Sequence, residues 1–282
     1  MHWFKRRRVV VVIWGVHSQD WMEALAPAAP VWKEIPGVQA VLHFSSPEEK
    51  VPWRVGLGRR IVMIPLMENH IATRPQRPAA LAPTLEALHT LGDKARFADY
   101  IREHGLSHLC PITYASIEDA AFPCVIKRTN LNGGAGVELA ASLDEARAFL
   151  GAAPFVGEAY VIQAMVPCLV EYTVNCVCIK GRILWHKVYA YNWASPEIRR
   201  AGSGQPVRRG TLSPELQTNL EAILVPLDYT GPCNVDCTWD EAGCLTVFEI
   251  NPRFGGSLMR RENTADLAAC LSVILEHAGS VK

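Results

Sequence analysis

Apolar residues fall in short bursts along the chain, and the spacing of those bursts predicts the elements. Val9–Trp14, Val38–Phe44 and Arg60–Pro65 are apolar runs divided by polar or helical stretches, the pattern of buried strands in a small α/β unit. The first run follows the basic residues Lys5-Arg6-Arg7-Arg8 and so imitates a secretory leader. It stops at Gly15, with polar His17-Ser18-Gln19-Asp20 behind it and no small-residue cleavage site, and it reads as a first strand. Residues 72–83, with Pro75, Pro78 and Pro83, read as a linker. A helix is predicted from Asp93 to His104, ended by Gly105, and Leu109–Thr113 and Cys124–Lys127 are strand candidates. Ser142 followed by Glu145 forms a capping box opening a helix to Leu150.

Beyond it, Ala159–Gln163 reads as a strand. Glu171–Ile179 and Ile183–Tyr191 alternate around Lys180-Gly181, which predicts an antiparallel hairpin. Residues 193–211 hold Ser, Pro, Gly and arginines at 199, 200, 208 and 209, and are predicted to be a long mobile loop. Ser213-Pro214 opens a helix to Leu224, with proline at its first position. Asn234–Trp239 and Leu245–Ile250 are strands, and Thr264–His277 is a last helix.

Composition narrows the function classes. The chain has 282 residues, 49% hydrophobic and 20% charged, enough for a sizeable core in an ordinary globular protein. Its 28 basic and 28 acidic residues cancel, which removes an overall basic surface and, with it, nucleic acid as a partner. The apolar runs are far shorter than the ~20 residues a membrane helix needs, so no membrane partner is expected. The nine cysteines form no C-x-x-C pair and no zinc-type spacing; reduced, buried thiols in a cytoplasmic protein are expected. His104 and His108 are separated by Gly105 and are not expected to bind metal. Gly56-Leu57-Gly58 lacks the third glycine of a dinucleotide fingerprint, which sets aside a nicotinamide dehydrogenase.

Three constellations carry chemistry. The first is Asp236 on one strand with Glu249 and Asn251 at the end of the next, followed by Pro252-Arg253-Phe254-Gly255-Gly256-Ser257. Residues two apart on a strand share a face, so Glu249 and Asn251 point together, and a hairpin brings Asp236 alongside. Two carboxylates and an amide oxygen form a hard site suited to Mg²⁺, with Arg253 in reach of an anion beside it. The second is Lys127 at a strand end, followed by a loop containing Gly133, Gly134 and Gly136. Glycines let backbone N–H groups approach a polyphosphate and lysine supplies a point charge, although a plain hairpin turn explains the loop equally well. The third is Gln163-Ala164-Met165-Val166 followed by Glu171-Tyr172-Thr173-Val174. A strand breaking into a linker can offer its backbone to a purine edge, with Glu171 accepting from ribose hydroxyls. A purely structural linker is the competing reading.

In this order, with Asp93-Lys94 opening a helix and the strand Pro123–Lys127, these motifs resemble the ATP-grasp superfamily from Gly92 to Ser257. The resemblance implies two α+β lobes clasping ATP behind a small N-terminal α/β domain. The corresponding divisions are 1–92, a lid lobe at 93–164 and a C-terminal lobe with the metal site at 165–282. It implies that Lys94 and Lys127 contact ATP phosphates, that Gly133, Gly134 and Gly136 form a lid, and that Gln163, Met165 and Val166 line the adenine pocket, with Glu171 at the ribose. Gln163 stands where many relatives carry an acidic residue. Asp236, Glu249 and Asn251 would hold Mg²⁺ (or Mn²⁺), and Arg253 would steady the transferring phosphoryl group.

Most such proteins are carboxylate–amine ligases, so the resemblance further implies small-molecule acid and amine substrates joined through an acyl phosphate, with release of ADP and phosphate. Homodimers are frequent among relatives. A small-molecule kinase on the same fold and a non-catalytic nucleotide-binding module are the alternatives. His186 is a candidate general base, with an ordinary strand histidine as the competing reading. The arginine-rich loop 193–211 is a candidate for closing over the acid, against a solvated basic loop.

Overall fold

The computed structural model describes residues 8–131, 135–192 and 208–279. The N-terminal apolar runs form the expected strands. β1 (Val9–Trp14), α1 (Gln19–Ala24), β2 (Val38–Phe44), α2 (Trp53–Gly56), β3 (Arg60–Pro65), α3 (Glu68–Thr73) and β4 (Ala79–Ala80) build a parallel sheet of order β2-β1-β3-β4. β1 is apolar throughout because both its faces are covered. Val9, Val11 and Ile13 pack in one core with Leu267, Leu271 and Ile274 of the last helix, while Val12 and Trp14 pack on the other side with Phe44 and Met63. The segment 72–83 is more than a linker. It holds the end of α3 and β4, whose Ala79 and Ala80 pair with Val62 and Met63.

The middle of the chain forms α4 (Leu85–Gly92), α5 (Lys94–Glu103), β5 (Thr113–Tyr114), β6 (Cys124–Arg128), β7 (Val137–Ala140), α6 (Leu143–Leu150) and β8 (Tyr160–Ala164). Its sheet is antiparallel, in the order β5-β8-β6-β7. α4 begins at a Thr84 cap and turns Ala87 and Leu91 into a core shared with Phe97, Tyr100 and Ile101 of α5. The expected strand 109–113 is replaced by a 3-10 turn at Ser107–Leu109, and pairing begins only at Thr113. Pro111 in that stretch has no N–H to give a ladder. α6 starts where its Ser142 cap predicts, with Ser142 Oγ accepting from Glu145 N–H at 3.3 Å.

The C-terminal part consists of β9 (Val170–Ile179), β10 (Arg182–Asn192), β11 (Arg208–Gly210), α7 (Pro214–Leu224), β12 (Gly231–Trp239), β13 (Leu245–Asn251) and α8 (Thr264–His277). The antiparallel sheet runs β11-β10-β9-β12-β13. β11 corrects the reading of 193–211 as a single loop; residues 193–207 lie outside the described residues. One face of the sheet is apolar, with Val174, Cys176, Cys178, Cys233, Val235 and Cys237 in a common core. The other face carries two cross-strand polar rows set by register: Tyr189, Thr173, Asp236 and Glu249, then Lys187, Asn175, Asn234 and Asn251. A bulge at Phe248, where Asp236 pairs with Glu249 but Cys237 with Val247, fixes which side chains of β13 join those rows. All nine cysteines are free thiols, and those at 124, 176, 178, 233, 237 and 270 are buried. No described helix is long and apolar enough to cross a membrane.

Candidate active site

The polar rows converge at the β12–β13 end. Asn251 Nδ2 donates to Glu249 Oε1 at 3.1 Å and lies 3.5 Å from Asp236 Oδ2, so the amide ties both carboxylates together. Asp236 Oδ1 also accepts from Thr173 Oγ1 at 3.0 Å and Asn234 Nδ2 at 3.3 Å. Burial, reinforced by the facing carboxylates of Glu249 and Glu171, pushes the Asp236 carboxyl up to about 8. Burial also pushes Glu249 up, but the charges of Lys94 and Lys127, with hydrogen bonds from Asn251 and Lys94, hold that carboxyl below its usual range. Two crowded carboxylates with a shared amide are a donor set that a divalent cation relieves. Among the described residues no three His, Cys, Asp or Glu side chains converge as a metal site, so the set is these carboxylates and one amide. The two carboxylates are the sparse oxygen ligation that fits Mg²⁺, which keeps waters and phosphates as its remaining ligands, while the Asn251 oxygen is turned here to Arg253.

The lysines reach this end from the middle part of the chain, Lys94 from α5 and Lys127 from β6. Asp93 caps α5 by accepting from Ala95 and Arg96 N–H at 2.9 and 3.0 Å. That cap sets the next residue, Lys94, facing Glu249, with Nζ 3.4 Å from Oε2 and 2.7 Å from the Leu131 carbonyl. Lys127 on β6 lies with Nζ 5.9 Å from the centre of the Phe248 ring, the residue that the bulge extrudes. The glycine-rich segment joins β6 to β7. Gly136 turns there at φ +64°, where a Cβ would stand 2.7 Å from Arg128 Cγ, so only glycine fits; Gly133 and Gly134 lie outside the described residues.

The structure brings together Lys94, Lys127, Asp236, Glu249, Asn251 and Arg253, with Glu171 in electrostatic reach of Asp236. Gln163 is buried in β8, with Nε2 donating to Thr113 Oγ1 at 3.2 Å. Met165 and Val166 follow half-buried on the stretch between β8 and β9. His186 pairs with Cys176 and therefore sits on the sheet face opposite Asp236, its Nε2 buried without a hydrogen bond. It is not placed to act as the base.

Arg253 Nη2 donates to Asn251 Oδ1 at 3.2 Å and Nη1 to the Phe254 carbonyl at 2.8 Å. Its Nε lies 3.1 Å from Glu68 Oε1, close enough for an ion pair but misaligned for a hydrogen bond. Glu68 belongs to the N-terminal unit, and sequence reasoning missed it. Thr173, Asn175 and Asn234 were also missed, although they alternate with apolar neighbours beside Glu171 and Asp236. Asn175 supports the turn after β13: its Oδ1 accepts from Gly255 N–H at 3.2 Å and its Nδ2 donates to Ser257 Oγ at 2.9 Å.

The family model for the ATP-grasp domain matches residues 91–257, more than half of the chain, and the chain belongs to this family. Solved structures of similar fold include the D-alanine–D-alanine ligase of Bacillus anthracis complexed with ATP, at 15% identity and a TM-score of 0.61, covering 98% of this chain and 96% of that one. The phosphoribosylamine–glycine ligase of Thermotoga maritima is similar at 15% identity and a TM-score of 0.67, over 97% of this chain and 76% of that one. The L-amino acid ligase of Bacillus licheniformis follows at 16% identity and a TM-score of 0.59, over 97% and 74%. No curated protein matches the chain.

Proposed function

We propose that the protein is an ATP-dependent carboxylate–amine ligase acting on small molecules. The observation that carries this reading is the convergence of Lys94 and Lys127 on Glu249, beside Asp236, Asn251 and Arg253, at one strand end. The site then works by positioning and charge neutralisation. Lys94 and Lys127 neutralise ATP phosphates, Met165 and Val166 line the adenine with Gln163 behind them, and Glu171 accepts from the ribose. Asp236, Glu249 and Asn251 would hold magnesium or manganese, which would supply positive charge to offset the ATP phosphates. Arg253 steadies the phosphoryl group as the substrate carboxylate attacks it and ADP leaves. An amine nitrogen then attacks the acyl carbon, and phosphate departs as the amide forms.

Phosphorus NMR of a reaction with ATP, Mg²⁺ and a panel of amino acids tests the reading. ADP, phosphate and amide in equal amounts are expected. Pyrophosphate refutes the acyl-phosphate route, and a stable phosphorylated product makes the protein a kinase.

A further inference from the structure

The parallel sheet has the order β2-β1-β3-β4, so the chain leaves β1 toward one side and returns to β3 on the other. In open parallel sheets the crevice at such a switch, beyond the carboxyl ends of the two strands, is where ligands bind. Here the ends of β1 and β3 carry His17, Glu68 and His70, and Arg253 reaches them with Nε 3.1 Å from Glu68 Oε1. The crevice is closely fitted. Gly15 sits at φ +99°, and a Cβ there would stand 2.3 Å from the His70 ring.

The two histidines differ in what they can do. His70 Nδ1 accepts the Met67 N–H at 3.3 Å, which leaves its ring proton on Nε2 and makes it a donor. His17 Nδ1 lies 2.7 Å from Ser18 Oγ, a partner that can accept as well as donate. With Nδ1–H donating to Ser18, the lone pair is on Nε2, and the ring rests against Trp21 with centroids 4.4 Å apart.

We propose that His17 is the group that takes the proton from the incoming amine, with Glu68 receiving that amine as its ammonium ion beside Arg253. This role rests on the ligase reading. An ammonium ion must shed two protons to become an amide. One passes to His17 Nε2 before the nitrogen attacks the acyl carbon; the second passes to the departing phosphate as its bond to the acyl carbon breaks, and the products are amide and hydrogen phosphate. Burial lowers the affinity of His17 for a proton, and the positive Arg253 lowers it further, against the opposing pull of Asp20 and Glu68. His70, the other titratable neighbour, is itself held toward its neutral form by burial and by His17. A ring kept neutral next to a carboxylate that attracts ammonium is what proton removal requires.

Hydroxylamine separates the two half-reactions, because it is neutral near pH 7 and traps an acyl phosphate without a base. The unaltered protein and His17→Gln are each assayed with ATP, Mg²⁺ and the amino-acid panel, with and without hydroxylamine. The expected result is hydroxamate formation within about threefold of the unaltered protein, and amide formation reduced by about 100-fold near pH 6.5. The deficit should shrink to within about fivefold near pH 9, where α-amino groups deprotonate unaided. Undiminished amide formation at the lower pH overturns the assignment. So does an equal loss at both pH values, or a parallel loss of hydroxamate, since either marks a structural role. Absence of both hydroxamate and amide with the unaltered protein refutes the ligase reading itself, and this role with it.

Discussion

The parallel sheet and the five-stranded antiparallel sheet handle polar groups in opposite ways. β1 is buried on both faces along its whole length, so none of its side chains is available for chemistry. Its polar neighbours stand beyond its end, at His17, and beyond the end of β3, at Glu68. β9 instead buries Tyr172, Val174 and Cys176 on one side and presents Glu171, Thr173 and Asn175 on the other. Chemistry there is written across the strands, in rows whose members belong to four different strands. A sheet whose strands are apolar on both covered faces can serve a site only from its edge, whereas this antiparallel sheet, with one face shared between the α8 cover on Val177 and Tyr189 and the polar rows beside it, can be the floor of the site.

Substitutions in the two sheets should therefore fail differently. The largest effect is expected from Ile13→Ala in β1, where a fully buried side chain leaves a cavity. Urea denaturation should show a loss of about 2–5 kcal/mol, with nucleotide affinity of the folded protein unchanged. Altered affinity at full folding would mean that the covered sheet communicates with the floor. Glu249→Gln should do the reverse: the fold stays, and amide formation drops by at least ~100-fold, near 3 kcal/mol of lost electrostatic stabilisation. A folded variant with near-normal turnover removes Glu249 from the site.

Lys127→Ala is expected to weaken ATP binding by about 1.5–3 kcal/mol and adenosine binding hardly at all, as measured by calorimetry with both ligands. An equal loss for both would place the lysine away from the phosphates. The smallest effect is that of Asp93→Ala, which removes the cap of α5. It should cost about 1 kcal/mol of stability in a thermal melt and loosen the position of Lys94. No change would show that Lys94 is set by its contacts with Glu249 and Leu131 instead.

What could be read in advance depended on whether the cause was local. The strands Val9–Trp14, Val38–Phe44 and Arg60–Pro65 were legible because a run of apolar residues between polar stretches has few alternatives. The pairing of Asp236 with Glu249 followed from two strands and a short turn. Thr173 and Asn175 carried a readable signal, the alternation itself, but polar positions on a hairpin also describe a solvated face. β4 was hidden by its prolines, and β11 by a stretch rich in arginine and glycine, since a three-residue edge strand is defined by its partner rather than its composition. Glu68 and His17 had no local mark at all. Their meeting with Arg253 depends on how the N-terminal unit packs on the end of β13, a long-range event that spacing cannot encode.

The shared core of β1 and α8 also bears on how the protein is made. Val9, Val11 and Ile13 find their cover in Leu267, Leu271 and Ile274, and Arg60 fastens the end of that helix through the Ala278 carbonyl at 3.2 Å. On the ribosome the first sheet is therefore synthesised long before the helix that covers it. Until α8 emerges, a valine- and isoleucine-rich face stays open to water and to other nascent chains, the kind of surface that chaperones hold. Closing so long a loop is slow, and only its closure completes the wall from which His17 and Glu68 face Arg253.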